Sequence, residues 1–234
     1  MSKSKIISLI ILILIILGIG SYFLFFNQKL TNEEIRTEDL LAFNNKDEKL
    51  SQTMLDKYFQ EFSWAKDKIL KNEATFETSS WLTIARLKKY MKDYEGAEQV
   101  YLYVIKIDVM NYAPEANLAD LYGNYLNNWE KAAEHYWQAV SKADVNKATA
   151  LLFYRNLADI YASKLGDKKS EFESKILTAL ENDYSQSVDF LTMLAKYYKD
   201  IDDKNKAISY LERALTLNPA NAQIIRDEIA ELKK

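Results

Sequence analysis

The stretch Val188–Pro219, VDFLTMLAKYYKDIDDKNKAISYLERALTLNP, constrains the fold of this chain more than any other. Leu194, Ala195 and Tyr198 fall on one helical face. A polar turn, Asp200 to Asp203, follows, then a second helix with Ala207, Leu211 and Ala214 on one face, which Pro219 stops. A single helical hairpin of this kind cannot bury its own apolar face. It needs similar hairpins stacked against it.

Weaker copies precede it. The first has Trp81, Ile84 and Ala85, a turn at Lys92–Gly96, then Ala97, Tyr101 and Val104. The second has Leu118, Ala119 and Tyr122, a turn at Asn128–Lys131, then Ala132, Tyr136 and Ala139. The third has Tyr154, Leu157, Ala158 and Tyr161, a turn at Gly166–Asp167, then Phe172, Ile176 and Ala179. The equivalent positions Ile84, Leu118, Leu157 and Leu194 are spaced by 34, 39 and 37 residues. Within hairpins, Ala85 to Ala97 and Ala195 to Ala207 are 12 apart, whereas Ala119 to Ala132 is 13. Insertions at turns leave the packed faces in register. Alanines at these sites let paired helices approach closely, and Tyr101, Tyr136 and Leu211 fill the gaps between hairpins. With only 5 Gly and 2 Pro, the chain is too poor in turn residues for a sandwich or barrel, so the expected class is all-α.

The four hairpins resemble the tetratricopeptide repeat family, whose first helix carries Trp-x-x-Leu-Gly-x-x-Tyr and whose second opens on Ala-x-x-x-Phe before a closing Pro. The fourth hairpin matches nearly throughout. The first keeps Trp81 but has Lys88 at the family tyrosine, and in the third the small residue opening helix two is replaced by Ser170 or Phe172. The resemblance implies a right-handed α-solenoid whose concave surface, lined by first helices, binds a protein or peptide. On the matching positions the candidate groove residues are Arg86, Lys89, Tyr90, Asp120, Asn124, Arg155, Asp159, Thr192, Lys196 and Lys199. Trp129 and Trp137 are candidate exposed contacts. The family's clamp for peptide C-termini is not reproduced; Arg155 beside Asn156 is a fragment of it.

Before the repeats, Ile6–Phe26 carries no charge over 21 residues, and roughly 20 helical residues span a bilayer core. Lys3 and Lys5 precede the run, and Tyr22, Phe23, Phe25 and Phe26 sit at its far end. An uncleaved transmembrane anchor is the expectation. A signal peptide cut near Gly18–Gly20 would leave an apolar new terminus, and a buried core helix would need a polar face that the run lacks. The basic head favours a cytoplasmic N-terminus and an extracytoplasmic repeat domain. The expected layout is a head at 1–5, a span at 6–26 and a tether at 27–49 that includes a capping box at Thr31–Glu34. A packing helix at 50–72 follows, with repeats at 80–111, 114–146, 148–184 and 187–219 and a capping helix at 221–234.

Catalytic chemistry is not legible. His135 is the only histidine, cysteine is absent, and no phosphate loop, nucleophile elbow or metal motif occurs. Asp200, Asp202 and Asp203 lack the glycine and distal glutamate of a calcium loop. A net charge of −3 gives no case for nucleic acid. No enzyme activity, cofactor, metal or small-molecule substrate is expected. The expected role is a membrane-anchored protein–protein interaction scaffold in an envelope, secretion or assembly complex. The alternatives are an accessory subunit acting in trans on an envelope enzyme, or a self-assembling anchor.

Overall fold

A computed structural model describes residues 37–73, 77–143 and 146–234. The chain divides into two units, 1–42 and 43–234. In the first, the described part holds one helical turn, α1 (Thr37–Leu40). The apolar run Ile6–Phe26 and the Thr31–Glu34 capping box lie outside the described residues, among which no helix is long and apolar enough to cross a membrane.

The second unit is a stack of helices, without strands among its described residues. It opens with α2 (Gln52–Leu70), started by Ser51, whose Oγ accepts the Met54 N–H at 3.3 Å. Four hairpins follow: α3 (Glu77–Tyr90) with α4 (Tyr94–Ile107); α5 (Ala113–Asp120) with α6 (Trp129–Lys142); α7 (Lys147–Ser163) with α8 (Lys169–Ala179); and α9 (Val188–Asp200) with α10 (Lys204–Leu215). The closing helix is α11 (Ala222–Leu232), which buries Ile225 and Ile229. Asn221 stands at its start, but its side chain makes no capping bond.

The alanine positions are where helices meet. Ala85, Ala97, Ala119, Ala132, Ala207 and Ala214 are fully buried, as are the fillers Trp81, Tyr101 and Leu211. Three turns share one construction. Lys92, Asn127 and Asp202 have φ of 60°, 52° and 61°, and each lies five residues before the alanine that opens the second helix. The next residue, Asp93, Asn128 or Asp203, starts that helix, and the last two cap Lys131 and Lys206 N–H groups at 3.1 Å. The chain reverses through a left-handed residue and re-enters helix immediately.

The 13-residue spacing in the second hairpin has a physical form. Its extra residue is absorbed in a wider π turn, Leu121–Tyr125, that continues α5. Here the Leu126 N–H reaches back to the Leu121 carbonyl at 3.1 Å, and Asn128 reaches Tyr122 at 2.8 Å. In the third hairpin, Phe172 is the buried residue and Ser170 is exposed. Phe172 stacks on Tyr161 at 5.0 Å and meets Tyr197 at 4.6 Å, so aromatic packing replaces the alanine contact.

Part of the stretch expected as tether is packed. Phe43 meets Phe59 and Phe62 edge-on, at 5.3 and 5.1 Å. The Lys46 N–H donates to the Met91 carbonyl at 2.8 Å, and the Lys46 ammonium reaches Asp93 at 2.7 Å. Residues 43–50 thus form a strap on the first hairpin turn.

Candidate interaction surface

The candidate groove residues lie on the first helices of the hairpins, α3, α5, α7 and α9, and most are tied across helix boundaries. Arg86 of α3 donates to Glu61 of α2. Lys89 of α3 reaches Asp120 of α5 at 2.5 Å, and Asn124 donates to the other oxygen of Asp120 at 2.7 Å. Lys196 of α9 bridges Asp159 of α7 at 2.8 Å and Asp200 at 2.6 Å. Those hydrogen bonds hold the Lys196 ammonium above its ordinary pKa. Lys199 reaches Glu228 of α11 at 2.6 Å. Tyr90 is exposed, with Arg86 and Lys89 near its ring. Lys89 is buried; the exposed pairs contribute little each, about 0–1 kcal/mol. Their effect on this face is to neutralise charge.

Among the described residues, the joint between α5 and α7 has no such ion pair. It holds instead a pocket of about 240 Å³, lined by Asn124, Trp129, Tyr136, Asn156, Asp159 and Ser163. The π turn shapes its rim. Gly123 in that turn leaves room for Trp129, because a Cβ there would fall 2.9 Å from the indole ring. Lys164 lies over the same ring at 5.2 Å. Burial first, then the Asp120 charge, pushes the Tyr136 phenol up to about 12.

A second pocket, about 250 Å³, lies between α7 and α9, which pack directly on each other. Arg155, Ala158, Asp159, Thr192, Met193, Lys196 and Tyr197 line it. Arg155 also borders a wider hollow of about 480 Å³ with Lys147, Asp183, Tyr184 and Asp189. The structure therefore brings Asn124, Arg155, Asp159, Thr192 and Lys196 together around two adjacent pockets. Asp120 adjoins them through Asn124, whereas Arg86, Lys89 and Tyr90 lie on α3, one hairpin away, and Lys199 turns to α11.

Trp129 and Trp137 are half-buried rather than exposed. Trp129 is held as described. Trp137 donates to the Tyr161 hydroxyl at 3.4 Å, and Lys175 covers its ring at 5.0 Å. Sequence reasoning missed Glu61, Glu228, Ser163 and Lys164. The first two belong to flanking helices outside the repeat pattern. The last two end a helix whose internal spacing gives no sign of a pocket.

His135 sits elsewhere, on α6, and stacks on Tyr122 at 5.4 Å. Its Nδ1 is 2.7 Å from the buried Glu115, which also accepts from Lys142 at 2.8 Å. Burial pushes the Glu115 carboxyl up, but His135 and Lys142 more than offset it and hold it below the usual range. Among the described residues no acidic or histidine cluster could hold a metal ion.

Comparison with known proteins agrees with the helical-repeat architecture at one hairpin. Residues 188–221 match the tetratricopeptide repeat model. No curated protein matches the chain. Among solved structures, the chain is similar to the MamA protein at 20% identity. The match covers 68% of this chain and 88% of that one, with a TM-score of 0.43.

Proposed function

We propose that this protein is a membrane-anchored protein–protein interaction scaffold, presenting its helical-hairpin stack on the extracytoplasmic side as part of an envelope, secretion or assembly complex. One observation carries the interaction role. Two pockets, each about the size for one partner side chain, adjoin on the face of the first helices, and five candidate groove residues line them. At about 240 and 250 Å³ they fall below the roughly 300–1,000 Å³ usual for small-molecule sites. Partner side chains set at intervals along one segment fit that spacing better than a compact metabolite. The anchor and its orientation rest on the charge-free run Ile6–Phe26 and the lysines before it.

A photo-crosslinking amino acid at Thr192 in the full-length chain, in its own membranes, tests the reading. Crosslinks to a distinct protein would support it; exclusive self-crosslinks would replace the scaffold with a self-assembling anchor. Protease treatment of intact cells tests the side. Full protection of residues 50–234 until lysis would overturn the extracytoplasmic placement.

A further inference from the structure

Charge on the first-helix face is balanced almost everywhere, and one residue breaks the pattern. Of the basic candidate groove residues, Arg86, Lys89, Lys196 and Lys199 each meet a carboxylate of the protein. Arg155 does not. It is exposed, and among the described residues its guanidinium makes no ion pair or hydrogen bond. The carboxylates around it are engaged or stand apart: Lys196 holds Asp159 at 2.8 Å, Lys147 lies 3.6 Å from Asp183, and Asp189 forms no ion pair with it. Beside this guanidinium opens the α7–α9 pocket, whose wall is apolar at Ala158, Met193 and Tyr197. The last two are nearly inaccessible, and the Tyr197 hydroxyl is buried without a hydrogen-bond partner.

Resting on the reading of this face as a partner surface, we propose that the α7–α9 joint selects an acidic-x-apolar segment of the partner: an aspartate or glutamate on Arg155, with an apolar side chain in the adjoining pocket. A guanidinium is a rigid fork matched to a carboxylate, and such charge-assisted pairs carry geometric specificity as well as energy. In an extended peptide, side chains two positions apart point the same way and stand roughly 7 Å apart. That lets one segment reach both Arg155 and the pocket. Thr192 adds a hydroxyl on the pocket wall. The acidic group is a side chain of the partner, not its chain end, since the other cations on these walls, Lys196 and Lys147, are held by Asp159, Asp200 and Asp183 and leave Arg155 to act alone.

The test is selection of random linear peptides, displayed on phage with their C-termini fused to the coat protein, on the full-length chain in nanodiscs. Selection should enrich Asp or Glu two positions from Leu, Ile, Met or Phe. Synthetic peptides of the enriched sequence should bind Arg155→Glu at least about tenfold more weakly, with Arg155→Lys between. Selection on Arg155→Glu should enrich Lys or Arg instead. Thermal unfolding should change little in these variants, because the side chain is exposed and makes no ion pair or hydrogen bond among the described residues. Enriched peptides without an acidic excess, or equal binding by Arg155→Glu, would overturn this inference and leave the scaffold reading standing. No enrichment on the wild-type chain, with only self-crosslinks at Thr192, would remove both.

Discussion

The first and fourth hairpins are built on the same skeleton and filled differently. Both keep 12 residues between paired alanines, and both reverse through a left-handed residue, Lys92 or Asp202. In the fourth, Tyr198 fills the position three residues after the alanine and stacks on Tyr210 at 5.4 Å, while Asp203 caps the second helix. In the first, Lys88 takes the tyrosine's place and is 1% exposed. Its ammonium lies 3.2 Å from Asp93, which also receives Lys46 from the strap and makes no cap bond. One aspartate position thus serves a helix end in one hairpin and a buried charge in the other. A repeat can keep its backbone while exchanging an aromatic filler for an ion pair, provided the turn supplies the counter-charge.

The largest effect should come from removing that aspartate. Asp93→Ala takes the carboxylate from a buried lysine, a loss of about 3–5 kcal/mol for such pairs. Asp203→Ala removes a cap only, about 1 kcal/mol. Chemical denaturation of the two variants measures the gap directly, and equal losses would break the comparison.

Acid should produce a milder form of the same loss. Burial alone would raise the Asp93 carboxyl, but Lys46 and Lys88 outweigh it and hold it below the ordinary carboxylate range. A carboxyl depressed in the folded state contributes stability that is present above its unfolded pKa, near 4, and is lost as pH falls through the lower folded value. Glu115 in the second hairpin acts in the same direction. Hydrogen exchange on acidification from pH 5 to pH 3 (about one unit either side of that value) should therefore loosen the first hairpin before the fourth. Asp93→Asn should flatten the difference. Simultaneous loosening in the wild type would count against it.

Overpacking tests what the hairpins share. Ala85→Trp and Ala195→Trp each force a large ring into a helix contact and should cost about 1–3 kcal/mol. Unchanged melting in either would contradict the close approach that both hairpins require.

The skeleton was legible because alanine, tyrosine and leucine recur at spacings that only paired helices satisfy. The turns were legible as positions and not as conformations. Three different residue types, Lys92, Asn127 and Asp202, occupy the left-handed site, so no shared letter marks it. The extra residue between Ala119 and Ala132 was visible, but not its form as a π turn with Trp129 settled over Gly123. That same settling makes Trp129 half-buried where a turn tryptophan reads as exposed. The candidate site was legible residue by residue on the first helices. Which members stay unpaired was not, because Glu61 and Glu228 come from helices outside the repeats.

The smallest effect concerns the left-handed residue itself. Asparagine and aspartate visit positive φ more readily than lysine, whose β-carbon crowds the following carbonyl at about 1–2 kcal/mol. Lys92→Gly removes that crowding and also the exposed Lys92–Asp47 pair at 2.8 Å, worth little. Glycine adds its own entropy cost in the unfolded chain, about 0.5–1 kcal/mol. The net expectation is a gain of a few tenths of a kcal/mol up to about 1. Asp202→Gly, starting from a residue better suited to the site, should gain less or lose slightly. Thermal melts of the paired variants decide the point. A loss at Lys92 larger than at Asp202 would mean that the strap pair through Asp47 contributes more than its exposure suggests, and that the first hairpin is held by residues 43–50 as much as by its own turn.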